Sequence, residues 1–310
     1  MMAYSEEALA FSTIPVNHQI RLEDRISYLY LEYTTIRQDK TGVVAYSRED
    51  DEDIRQTIQI PAAEIAVIVL GPGTSISHAA MVSCARAGAT VVFGGGGGMS
   101  AYTVATPLTT SSKWAIAQAR LVSNEARQRD AAKLLYQKQF GLDEVDGMSI
   151  AVMRGIEGRT MRNLYRDLAK RYKVANFHRD TTSDDNVNAG LNLANSLLYG
   201  CAAAACAAIG VSPALGVIHR GNQRSLLFDL ADTYKPSLSI PIVFKHAHDP
   251  EAMASIRREI RAAFVSQGVL EGMLSTLMEI LSPHLPDRDD DRLIGGRNHE
   301  VAGHTQYGVK

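Results

Sequence analysis

Two hydrophobic periodicities divide the chain. From residue 25 to about 105 the apolar positions alternate or gather in short β-branched blocks, and from about 113 to 282 they recur at three- and four-residue spacing. In the first part, Arg25 to Tyr33 is rich in β-favouring residues. The turn signal Asp39-Lys40-Thr41-Gly42 follows and leads to Val43–Tyr46, so the segment is expected to form a hairpin. Thr57–Ile60 alternates and stops at Pro61, while Ile65–Leu70 is continuously apolar and predicts a buried strand. Gly71-Pro72-Gly73-Thr74 turns the chain, and Ser77 stands as N-cap of a short helix over 78–87, halted by Gly88. Thr90–Phe93 and Tyr102–Ala105 predict further strands on either side of the glycine run 94–98.

The second part is helical. One helix is expected over Lys113 to Phe140, stopped by Gly141, and another over about 149–172 after a linker at Asp143–Gly147. Ser183-Asp184-Asp185 caps a long helix reaching about Ile209, ended by Gly210 and Pro213. Shorter helices are expected at about 225–235, 238–248, 250–265 and 268–282. The fold class is therefore α+β. A β-rich N-terminal domain (1–108, a small sandwich or roll with one short helix) precedes a larger all-α domain (109–283) and a tail (284–310) expected to be disordered.

Composition narrows the possible settings. A chain of 310 residues, 45% hydrophobic and 21% charged, can bury a sizeable core. Its formal net charge of −2 gives no overall support for a nucleic-acid partner, so that case must rest on local basic clusters. Three cysteines (Cys84, Cys201, Cys206) without a Cys-x-x-Cys pair fit reduced, buried thiols in a cytoplasmic protein. No signal peptide is expected at the N-terminus, and no apolar stretch is expected to approach the ~20 residues that span a bilayer.

Charge placed where a core would exclude it marks the candidate chemistry. Glu157 lies in register with the apolar stripe Met153, Ile156, Met161, Leu164 and Leu168, which leaves it either paired to an arginine or serving a site. His219 closes the run Ala214–Ile218. Asp229 and Asp232, three apart, share a helix face among Leu226, Phe228 and Leu230. One imidazole with carboxylates suits Mg²⁺ or Mn²⁺ better than a structural zinc. Arg159, Arg162, Arg166 and Lys170 follow one another at three- and four-residue spacing, either as a solvated face or as a phosphate contact. Asn188, Asn192, Asn195 and Tyr199 make a polar stripe that either orients ligands, meets DNA or joins helices. The glycine run 94–98 lacks the lysine of a P-loop and has Met99 where a dinucleotide fingerprint needs glycine. His299 and His304, five apart, fall on different helix faces and do not make a zinc-protease pair.

Taken together, Arg154-Gly155-Ile156-Glu157-Gly158, His219-Arg220-Gly221 and Asp229-Leu230-Ala231-Asp232 with Lys235 resemble the metal-site motifs of the CRISPR-associated adaptation integrases. The stretch Pro72–Ala80 resembles their type I-E subfamily, and the similarity covers about residues 20–280. The resemblance implies a homodimeric, metal-dependent DNA endonuclease and integrase. It would work in a heterohexamer with the small adaptation partner protein, joining prespacer DNA to the CRISPR repeat by attack of a 3′-hydroxyl. It implies Glu157, His219 and Asp232 as ligands of Mg²⁺ or Mn²⁺ and Asp229 as a further acid of the site. Asn188, Asn195, Tyr199 and Lys235 then join the basic helix face as DNA contacts. A stand-alone structure-specific repair nuclease and a non-catalytic DNA-binding scaffold are the competing expectations.

Overall fold

The structure, a computed structural model, describes residues 25–40, 42–47, 57–95, 101–106, 112–141, 148–286, 292–294 and 300–302. Two four-stranded sheets form the N-terminal part. The first runs β1 (Leu29–Leu31), β5 (Val67–Leu70), β7 (Thr90–Gly94) and β8 (Ala101–Ala105), parallel except for the last pair. The second runs β4 (Thr57–Ile60), β3 (Gly42–Ser47), β2 (Thr34–Asp39) and β6 (Ser75–Ile76). The hairpin is therefore β2 with β3, joined as Asp39↔Gly42, and not residues 25–33 with 43–46. Tyr33 adopts φ 51°, which breaks the extended run after Leu31 and sends the two halves to different sheets. The short helix α1 (His78–Arg86) starts where expected, with the Ser77 hydroxyl accepting from the Ala80 N–H. The polar stretch 48–56 and most of the glycine run 94–98 lie outside the described residues.

Alternation along the first sheet gives it two dry faces. Ile68, Leu70 and Val91 join Ile36, Val43, Cys84 and Leu31 in the N-terminal core. Val67, Val69 and Val92 point the other way and belong to the core of the helical part. The sheet is thus a shared wall between two cores. The long helix α5 (Asn186–Ile209) lies against it at Gly200, where an added Cβ would stand 3.1 Å from the Val67 Cγ1 atom. Small residues at Gly200–Ala205 permit that approach.

The segment expected as one helix over 113–140 is two, α2 (Lys113–Val122) and α3 (Glu125–Phe140). Asn124 accepts from the Arg127 N–H and caps the second, which redirects the chain. Next come α4 (Ile150–Arg171), α5, α6 (Ser225–Asp232), a π-helical turn (Lys235–Ser239), α7 (Ile240–Lys245), α8 (Ala252–Ser266) and α9 (Val269–Leu281). By length and composition α5 could cross a membrane, contrary to the expectation of no such stretch. It is nevertheless mostly buried inside the protein, as the core helix of the bundle. In the segment expected to be disordered, Arg292–Ile294 and Glu300–Ala302 pair as short antiparallel strands. The rest of that tail after Leu285-Pro286 lies outside the described residues.

Asp185 caps α5 through the N–H groups of Val187 and Asn188 and also takes the Asn188 side-chain amide at 2.7 Å. Asp185→Ala removes all three bonds at the head of the central helix. It should cost about 1–2 kcal/mol in urea unfolding; no measurable change would show that the cap is dispensable.

Candidate active site

The site is built on one buried carboxylate. Asp229, 1% exposed on α6, accepts from the N–H groups of Val217, Ile218 and His219 and from the His219 ring at Nδ1, 2.8 Å away. Helix α6 thereby fixes both the backbone of the preceding loop and the ring at its end. Two glutamines brace the same loop from the other side. Gln118 donates to the Ser212 and Leu215 carbonyls and accepts from the Ser212 N–H, while Gln128 donates to the Val217 carbonyl at 2.7 Å. Gly216 lets the loop close over Asp229. A Cβ there would strike the His219 carbonyl and come within 2.9 Å of the Asp229 Oδ2 atom.

With Nδ1–H donated to Asp229, the imidazole lone pair is on Nε2. That nitrogen faces Asp232 Oδ2 at 3.9 Å. The hydrogen bond to Asp229, followed by the charges of Asp232, Asp229 and Glu157, holds the His219 pKa above its ordinary value of 6.5 despite burial. Asp232 is itself clasped on its other oxygen by Lys235 Nζ at 2.6 Å, and that ammonium also donates to the Tyr199 hydroxyl at 3.0 Å. Burial opposes the Lys235 charge, but Asp232 and Tyr199 outweigh it and hold its pKa above the usual lysine value. Phe228 sits among these groups, 5.1 Å from the Tyr199 ring and 5.7 Å from His219. The Arg224 guanidinium lies over the Phe228 ring at 5.5 Å, with an Nη1 donor that is buried and unpaired.

Glu157 is held by neutral partners. Among the described residues no arginine pairs with it. Tyr136 Oη donates to one oxygen at 3.2 Å and Gln139 Nε2 to the other at 3.1 Å. Burial raises its pKa most, the Asp232 charge adds to the rise, and the Gln139 and Tyr136 hydrogen bonds and the His219 charge work against it. Glu157 is therefore close enough to feel both partners. Yet among the described residues no three His, Cys, Asp or Glu side chains lie close enough together to hold one ion. Two of the three expected ligands meet; the third is restrained by α3. The donor set still fits a hard divalent cation in kind, with one oriented imidazole nitrogen and two carboxylates. The carboxylate behind the imidazole is the usual support of a metal-binding histidine.

Other expected residues divide clearly. Asn188 is 3% exposed and accepts from Arg179 and the Asp180 N–H while donating to the His178 carbonyl and Asp185. Asn192 accepts from Arg179 and donates to the Thr181 carbonyl. Both clamp the 178–185 loop to α5, and Asn188 is buried in that clamp. Asn195 and Tyr199 are half-buried further along the same helix. Arg159, Arg162, Arg166 and Lys170 are exposed on α4. The last three line a groove of about 650 Å³ with Arg179, its floor made by Met161, Tyr165 and Phe177. Periodicity could have flagged Gln128, Tyr136 and Gln139, which are polar residues in the buried register of α3, although their partners could not be named from sequence.

A family model described as "CRISPR associated protein Cas1" matches residues 28–142 and 137–253. A CRISPR-associated endonuclease Cas1 from Clostridium sp. (strain SY8519) is 34% identical over 255 residues, spanning 79% of this chain and 82% of its own. Cas1 2 of Thermus thermophilus is 31% identical over 301 residues, spanning 93% and 91%. Among solved structures, a TtCas1–DNA complex superposes with a TM-score of 0.75 at 31% identity, covering 90% of this chain and 99% of that one.

Two outcomes test this geometry. In the metal-free protein the His219 ring should titrate above 6.5 by NMR, and Asp229→Asn should lower that value; an unshifted ring would contradict the Asp229 contact. Because the folded pKa is raised, the His219 contribution to stability is fully present below about 6.5 and is lost as pH rises through the folded value. Gly216→Ala should destabilise the fold by about 1–3 kcal/mol through overpacking on the Asp229 loop, measured by urea unfolding.

Proposed function

This chain belongs to the Cas1 family of CRISPR-associated endonucleases, and we propose on that footing that it is a metal-dependent integrase of spacer acquisition. The substrate is double-stranded DNA, a prespacer and the CRISPR repeat. The 3′-hydroxyl of the prespacer attacks a repeat phosphodiester, a new P–O bond forms, and the 3′-oxygen of the cut strand leaves with a proton. The observation that carries this reading is His219: its Nδ1 is tied to Asp229 and its free Nε2 faces Asp232.

Bound Mg²⁺ or Mn²⁺ would supply Lewis-acid polarisation of the scissile phosphate. His219 and Asp232 would hold the ion, and Glu157 would join them once released from Tyr136 and Gln139. Asp229 positions the imidazole and keeps the lone pair on Nε2. Arg224, with its unpaired buried donor, suits an anionic oxygen, and the groove of Arg162, Arg166 and Lys170 suits a DNA backbone. Arg159 extends the same face, and Asn195 lies one turn before Tyr199, which bonds Lys235.

The finer assignments rest on the sequence resemblance: type I-E membership on Pro72–Ala80, and homodimers joined by the small adaptation partner in a heterohexamer. The buried, unpaired thiols Cys84, Cys201 and Cys206 accord with a cytoplasmic setting.

His219→Ala and Asp232→Ala should each lower strand transfer at least a hundredfold with DNA binding retained, in an assay with Mn²⁺ or Mg²⁺ and the partner protein. Wild-type strand transfer by both variants would end the assignment. Activity should fall as pH drops, beginning above 6.5, because a proton on Nε2 competes with the ion and Asp229 favours that proton. Replacing Arg162, Arg166 and Lys170 by alanine should flatten the dependence of log K on log salt by about 0.9 for each phosphate no longer neutralised.

A further inference from the structure

The two carboxylates expected to bind the ion are neutralised differently. Among the described residues Glu157 takes its hydrogen bonds from uncharged groups, the Tyr136 hydroxyl and the Gln139 amide. Asp232 already has a cation: Lys235 Nζ lies 2.6 Å from Oδ1, while Oδ2 is turned to His219. Both members of that ion pair are largely shielded, each side chain 15% exposed, so solvent does little to weaken it. A divalent ion drawn to Asp232 meets a fixed positive charge on the same carboxylate.

Lys235 also has a second place to rest. Its ammonium bonds the Tyr199 hydroxyl at 3.0 Å and lies 5.0 Å from the centre of the Tyr199 ring, a cation–π distance. It opens the π-helical turn Lys235–Ser239, a local widening of the helix that recurs at functional positions. The Tyr199 hydroxyl and ring thus give the ammonium partners besides Asp232. An anionic phosphate arriving at the site offers the ammonium a third partner.

We propose that Lys235 is a built-in counter-cation that opposes metal loading of the site and makes it depend on a DNA phosphate. Without DNA, Lys235 holds Asp232 and weakens ion binding. With DNA, the phosphate takes the ammonium and adds negative charge, so the carboxylate is free for the ion. Metal and DNA then bind cooperatively, and reciprocity requires each to tighten the other by the same factor. The proposal rests on the reading of His219 and Asp232 as metal ligands.

Mn²⁺ affinity, measured by isothermal titration and by loss of the free-ion EPR signal, tests it with and without a branched DNA duplex. In the wild-type chain the duplex should tighten Mn²⁺ binding at least tenfold; unchanged or weaker binding overturns the proposal without any variant. Lys235→Met should tighten Mn²⁺ binding at least tenfold in the absence of DNA and shrink the DNA-dependent gain. Lys235→Arg, which keeps the charge, should stay near wild type. Weaker or unchanged binding by Lys235→Met, or equal tightening by both variants, refutes the charge argument. Failure of the underlying reading has a separate signature: Mn²⁺ binding to the wild-type chain that survives both His219→Ala and Asp232→Ala.

Discussion

Asp229 is the constraint on which the site depends. A carboxylate in a dry interior must have donors on both oxygens, and here they come from three consecutive backbone amides and one imidazole. Satisfying that need bends the 217–219 segment around the α6 helix and leaves the imidazole with one direction to face. Asp232, one turn further along the same helix, stands in that direction. Structural necessity and chemical orientation are therefore the same set of hydrogen bonds. Loss of Asp229 would disturb both, and the expectation of Asp229 as one more acid of the site understates its part.

The helical core makes that arrangement rigid. Helix α5 packs on the shared sheet at one face and against α6, α8 and α9 elsewhere, while α2 and α3 contribute polar side chains through an otherwise apolar boundary. Gln118 and Gln128 hold the histidine loop; Tyr136 and Gln139 hold Glu157. One helix, α3, thus reaches the surroundings of both His219 and Glu157.

Much of this was legible in the chain, and the failures have physical causes. The change of period near residue 110 anticipated a β part and a helical part, and Ser77 and Asp185 marked two helix starts through their capping chemistry. Misplacement of the hairpin came from Tyr33, whose left-handed backbone no hydrophobic pattern encodes. The break at Ser123-Asn124 was hidden because the apolar spacing continues through it. Glu157, His219 and Asp229 stood out as charges in apolar surroundings, but their separate fates did not. Partners such as Gln139 on Glu157 or Gln128 on Val217 are set by tertiary packing. Likewise, the stripe of Asn188 and Asn192 is periodic whatever it meets; the clamp on Arg179 and the 178–181 backbone appears only in the folded chain.

The central claim is that Glu157, His219 and Asp232 close on a single divalent ion. Anomalous diffraction from crystals grown with Mn²⁺ and a bound DNA end addresses it directly. One strong manganese peak is expected, bonded to His219 Nε2 and a carboxylate oxygen of Asp232, with Glu157 drawn away from Gln139 to join them. A manganese peak elsewhere in the protein, with these three side chains unmoved, would contradict it.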